Sequence, residues 1–186
     1  MKRRTSILNP LLAAVLSILF SVTSVWADST KLDDLFARLA KAEAAESGRI
    51  EQEIWIEWSK SGSSAMDLLL QRGRDAMNAG EIKTAIDHFT ALTDHAPDFA
   101  EGWNALATAY FQAGEFGPSV AAISTTLRLN PRHFGALAGF GMILEETGQP
   151  DRALAVYNAA LAIHPHMAGV LAAVERLKTE AHGRDL

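Results

Sequence analysis

Apolar positions recur at helical spacing through most of the chain, in short stripes separated by polar residues, Gly or Pro. Leu69, Gly73 and Ala76 lie on one helical face, and Gly80 follows where a helix end needs left-handed backbone. A second stripe runs through Ile82, Ala85, Ile86, Phe89 and Leu92, and Pro97 then forbids continuation of the helix. The pattern predicts helix, tight turn, helix, tight turn.

The same punctuation returns every 34 residues: Gly80, Gly114, Gly148, and Pro97, Pro131, Pro165. Half of the six prolines in the chain fall on this one interval, which a chance arrangement does not produce. Five further columns agree at the same offset. They are Leu69/Trp103/Leu137, Gly73/Ala107/Gly141, Ala76/Tyr110/Leu144, Ala85/Ser119/Ala153 and Phe89/Ile123/Tyr157. The small column at Ala85 marks where two helices of a hairpin cross closely, and Phe89 is the large knob beside it.

These columns resemble the tetratricopeptide repeat family. That family has a 34-residue helical hairpin with bulky, Leu, Gly/Ala and Tyr positions in its first helix. Its second helix carries a small residue and then an aromatic, with Pro closing the unit. Residues 66–99, 100–133 and 134–167 are read as three such units, the middle one matching best through Trp103, Leu106, Ala107 and Tyr110. Arg72 in place of Leu, Ser119 in place of Ala and Ile123 in place of an aromatic are the departures.

Both flanks extend the pattern. One period back, residues 28–65 read as a degenerate helical pair. Leu32, Leu35, Phe36 and Leu39 form one face and Ile50, Ile54, Trp55 and Trp58 the other, with a break at Ser47-Gly48. Trp55 occupies the Phe89 column, but Glu51 falls in the small-residue column, which implies an altered packing angle. The Trp55/Trp58 pair reads as a core stripe in preference to an exposed partner patch. One period forward, Val170, Leu171, Val174 and Leu177 define a single capping helix over about 168–182, within a final segment of 168–186 whose end frays. The expected fold is thus all-α: a right-handed α-solenoid of three hairpins between a degenerate N-terminal pair and a C-terminal cap.

What the resemblance implies for function is a concave face, lined by first helices, that binds an extended peptide or a partner helix. The family's groove positions map to Asp67, Leu70, Arg74 and Met77; to Glu101, Asn104, Thr108 and Phe111; and to Gly135, Ala138, Met142 and Glu145, with Arg176 continuing the row. Leu70, Met77, Phe111 and Met142 offer adaptable apolar contacts. Arg74 and Asn104 offer orienting hydrogen bonds, and the small residues Gly135, Ala138 and Gly139 leave a shallow floor. One subtype of the family clamps a C-terminal carboxylate with Lys and Asn; no Lys occupies the mapped positions here.

The N-terminus adds an address. Lys2, Arg3 and Arg4 precede an apolar stretch of 15 residues from Leu11 to Val25, and Val25-Trp26-Ala27 supplies small residues where a signal peptidase reads. Residues 1–27 are read as a signal peptide cleaved after Ala27, implying periplasmic or secreted protein. An uncleaved inner-membrane anchor is the rival, although the stretch is shorter than the roughly 20 residues a spanning helix needs. Cleavage leaves 14 basic against 22 acidic residues, a formal charge of −8. Such a balance disfavours nucleic acid and anionic lipid as partners.

No enzyme chemistry stands out. Cysteine is absent, which removes disulfides and thiolate sites. No His-Glu-x-x-His motif, Gly-rich phosphate loop or Gly-x-Ser-x-Gly elbow occurs. His88, His95, His164 and His166 are read as solvated residues at helix ends or faces, since two histidines without a third ligand make a poor zinc site. Glu145 and Glu146 are read as groove rim and solvent. No cofactor or metal is expected. The expectation is a non-enzymatic adaptor for envelope protein assembly, and the sequence names no partner or oligomeric state.

Overall fold

The computed structural model describes residues 30–184, and the expected signal segment lies outside them. Among the described residues there are nine helices and no strand. They are α1 (30–39), α2 (Ala44–Trp58), α3 (Ser64–Asn78), α4 (Ile82–His95), α5 (Ala100–Gln112), α6 (Phe116–Leu129), α7 (Phe134–Glu146), α8 (Pro150–Ile163) and α9 (Ala168–Arg184). No described helix is long and apolar enough to cross a membrane.

The periodic glycines end the first helix of each hairpin. Gly80, Gly114 and Gly148 have φ of 78°, 75° and 71°. Behind each, the next residue's N–H reaches back to close the helix: Glu81 to the Ala76 carbonyl, Glu115 to Tyr110 and Gln149 to Leu144, at 2.8 to 2.9 Å. This paired closure satisfies carbonyls that would otherwise be orphaned and sets the sharp reversal into the second helix. The periodic prolines end the second helices. Ala96, Asn130 and His164 each precede a proline and leave the helical region, with ψ of 67°, 91° and 92°.

Helices pack in order: α3 on α4, α5 on α6, α7 on α8, with α4–α5, α6–α7 and α8–α9 joining the hairpins and α3–α5–α7 in a row. The stack is an α-solenoid of three hairpins capped by α9. Its core is three contiguous clusters, centred on Phe89 and Leu92, on Ile123 and Ile143, and on Tyr157 and Val174. The sequence departures are accommodated locally. Ser119 is fully buried but its Oγ donates to the Ala107 carbonyl at 2.7 Å, so the hydroxyl leaves no unsatisfied group. Arg72 is exposed on α3, which no hairpin precedes in the stack.

The N-terminal pair forms as two helices, yet it does not continue the stack. Its cluster of Leu35, Leu39, Ile50, Ile54 and Trp58 closes on Phe134 of α7, with Ile163 and Met167 alongside. The pair has folded back across the solenoid onto the third hairpin. Glu51 explains why. A carboxylate does not fit the column where two helices must touch closely; in the folded-back position Glu51 stays partly exposed and meets His164.

Candidate partner-binding groove

Two buried histidines anchor the folded-back pair. His133 sits at the N-terminus of α7, where its Nδ1 accepts the Ala136 N–H at 3.1 Å. The ring proton is therefore on Nε2, which donates to Glu101 Oε2 at 3.0 Å. Trp58 stacks on the same ring. His164 is fixed by the extended pre-proline backbone and is 1% exposed. Its Nδ1 accepts from His166 N–H and its Nε2 donates to Glu51 Oε2 at 3.1 Å. His166 Nε2 donates to the Ala42 carbonyl at 2.9 Å, and Arg132 pairs with Asp33 while lying over the Phe36 ring. The expectation that His164 is solvated is thus corrected: α2 covers it. His88 and His166 are half-buried, and His95 is exposed.

The predicted groove residues separate into two groups. Arg74 is already committed: its Nη2 donates to Glu101 Oε1 at 2.6 Å and its Nη1 to Ser59 Oγ at 3.1 Å. Glu101 is buried and satisfied by Arg74, His133 and the Asn104 amide together. Leu70 is buried in the core between α3, α4 and α5, with Met77 packed against that core. Glu145 is half-buried, accepting from the Tyr157 hydroxyl at 2.6 Å and pairing with Arg176. Burial and the hydrogen bond to Glu145 push the Tyr157 hydroxyl well above the ordinary tyrosine range.

The other group comes together. Asn104, Thr108, Phe111, Ala138 and Met142 line one open cavity of about 320 Å³ between α5 and α7, floored by Ala107, Gly139 and Ile123. Asn104 Nδ2 donates to Glu101, since a carboxylate only accepts; its amide oxygen is left for another donor. The Thr108 hydroxyl donates to the Asn104 carbonyl at 2.9 Å. Gly135 lies at the edge of this cavity under Trp55. A Cβ at Gly135 would come within 2.7 Å of the indole, so the absent side chain is what lets α2 close that edge. No described group of His, Asp or Glu is arranged to hold a metal ion.

Sequence reading missed the roles of His133 and His164 in this arrangement. His133 carried no signal, because a residue after Pro-Arg looks like an ordinary turn. His164 looked solvated. Glu51 did carry a signal, as the one charge in a small-residue column.

The stacked hairpins define an α-helical repeat protein of the solenoid class. The sequence profile of the tetratricopeptide repeat matches residues 70–117 and 106–168. A TPR repeat-containing protein of Rhizobium etli is 35% identical over 136 residues, covering 73% of this chain and 67% of that protein. The chain belongs to the tetratricopeptide repeat family. Among solved structures, the first TPR of Spaghetti (RPAP3), bound to the HSP90 peptide SRMEEVD, is similar with a TM-score of 0.60 at 19% identity. That match covers 63% of this chain and 93% of that one. The Sgt2 TPR domain from Aspergillus fumigatus is similar with a TM-score of 0.62 at 18% identity, over 66% and 83% of the two chains.

Proposed function

We propose that this protein is a non-enzymatic adaptor that holds a segment of a partner protein in its concave groove. The observation that carries the reading is the open cavity between α5 and α7. It is lined by side chains that are uncharged and adaptable, beside an amide whose oxygen is unused. A peptide lying there would gain apolar burial on Phe111 and Met142 and one orienting hydrogen bond from its backbone to Asn104. A similar fold, the first TPR of Spaghetti (RPAP3), is bound to the HSP90 peptide SRMEEVD, which supports a peptide segment as the partner.

The charged N-terminal stretch, the apolar run and Val25-Trp26-Ala27 support export, with cleavage after Ala27 and a role in assembling envelope complexes. Retention of the apolar stretch as a membrane anchor is the rival reading, although its 15 residues from Leu11 to Val25 fall short of the roughly 20 a spanning helix needs. Sequencing the N-terminus of protein isolated from cells separates the two: a start at Asp28 supports export with cleavage, and a start at Met1 overturns it.

The groove reading is tested with a photo-crosslinking amino acid placed at Thr108 or Met142, both exposed, and at Asp94, exposed on α4. Partner adducts are expected from the groove positions and not from Asp94. Equal adducts from all three positions refute the groove assignment. Arg74 is unsuitable for this test, because altering it removes the cation beside buried Glu101.

A further inference from the structure

We propose that the groove selects a basic-apolar segment, seating a Lys or Arg side chain on Glu51 and apolar side chains on either side of Met142. This rests on the reading of the concave face as the partner site and adds the chemistry of the partner.

A second cavity of about 540 Å³ lies between α7, α9 and α2, and it shares Ala138 and Met142 with the first. Met142, 46% exposed, is the ridge between them. Both volumes fall in the range of pockets that bury small ligands, roughly 300–1,000 Å³. Their walls are dominated by Ala, Gly, Phe, Met and Val, so each suits an apolar side chain.

Charge decides what accompanies those side chains. Among the described residues lining the two cavities there is no Lys or Arg, and Glu51 is the one carboxylate. The neighbouring carboxylates are already compensated, Glu101 by Arg74 and Glu145 by Arg176. Glu51 is not. It receives the Trp55 Nε1–H at 3.3 Å and the His164 Nε2–H at 3.1 Å. His164 Nδ1 faces the His166 backbone N–H at 3.4 Å, and neither donor to Glu51 is a Lys or Arg. A carboxylate has about four acceptor positions, and two are filled. Its side chain is 36% exposed, and it is held in place by a buried histidine and an indole. A fixed, partly desolvated carboxylate at the end of an apolar groove takes a cation through a charge-assisted hydrogen bond. The formal charge of −5 over the whole chain draws basic segments in the same direction. An acidic peptide would meet uncompensated repulsion at Glu51 and find no cation lining either cavity.

The test pans a display library of random dodecapeptides against the mature chain and against Glu51→Gln and Thr108→Trp variants. Gln keeps an oxygen for the His164 donor, and thermal melts confirm that each variant folds. Wild type is expected to enrich peptides with two apolar positions and a Lys or Arg. Glu51→Gln keeps the apolar preference and loses the basic one. Replacing that Lys by Gln in an enriched peptide is expected to weaken binding to wild type roughly tenfold, and to change binding to Glu51→Gln little, by fluorescence anisotropy. Enrichment of acidic peptides, or a basic preference that survives Glu51→Gln, overturns the proposal. If Thr108→Trp abolishes binding while peptide charge has no effect, this proposal falls and the groove reading stands. If Thr108→Trp leaves binding intact, or no peptide is enriched, the groove reading falls as well.

Discussion

Trp58 lies flat against His133, with ring centroids 4.2 Å apart and planes at 16°. The two residues belong to different parts of the chain. Trp58 ends α2, and His133 caps α7 and holds Glu101 from behind. The stack therefore joins the fold-back of the N-terminal pair to the buried polar cluster that fixes Arg74 and Asn104. Trp55 meets Trp58, His133 and Phe134 edge-on at 5.2 to 5.7 Å, so the contact is an aromatic cluster and not a single pair.

Trp58→Ala is expected to cost about 3–5 kcal/mol, as large-to-small changes at buried aromatics do. The loss falls on the docking of α1 and α2, so the segment between α2 and α3 becomes susceptible to limited proteolysis. Urea denaturation and a timed protease digest check both effects. An unchanged midpoint with an unchanged digest would show that the pair is not held by this cluster.

Gly73→Ala probes the solenoid itself. A Cβ at Gly73 would lie 2.2 Å from the ring of Phe89, which is fully buried and has no room to retreat. Overpacking of this kind costs about 1–3 kcal/mol. The middle hairpin already shows the remedy, with Ala107 and Ile123 in the same two columns. Gly73→Ala combined with Phe89→Ile is expected to be more stable than the two single losses added together. A double-mutant cycle reads the coupling; strict additivity would mean that the two side chains do not meet.

Glu57 makes the packing of α1 on α2 sensitive to acid. It is buried, and hydrogen bonds from Lys31 and Lys60 hold its carboxyl below the ordinary value of 4.5, against the opposing effect of burial. A carboxylate whose folded pKa is depressed contributes stability that is complete above its unfolded pKa. That contribution is lost as pH falls through the folded value. Wild type should therefore melt higher than Glu57→Gln at neutral pH, and the difference should shrink as pH drops below 4.5. Melting curves over an acid series measure it. A constant difference at every pH would place the effect of the substitution elsewhere.

Much of the fold was legible because each tetratricopeptide hairpin depends on residues close in sequence. Gly80 needs a left-handed backbone, Ala85 needs to be small, and Pro97 stops a helix; each requirement is met within one unit or its neighbour, so it repeats visibly every 34 residues. The lining of the cavity between α5 and α7 was legible too. Asn104, Thr108, Phe111, Ala138 and Met142 are placed by the same repeat geometry, and they line one cavity. Leu70 is taken up by the core around Phe89 and Leu92, and Arg74 is committed to Glu101 and to Ser59, a pairing that no column reveals.

The amino-acid pattern alone determined the stacked hairpins, since helix ends and close crossings are local demands that leave periodic marks. Only the tertiary structure decided where the N-terminal pair goes. Its partners lie far along the chain: Asp33 meets Arg132, Glu51 meets His164, and Ala42 meets His166. Contacts at such separations are made once and leave no repeating mark. The charge at Glu51 in a small-residue column was their one trace, since a partly desolvated carboxylate is stabilised by a donor, and the folded chain supplies His164.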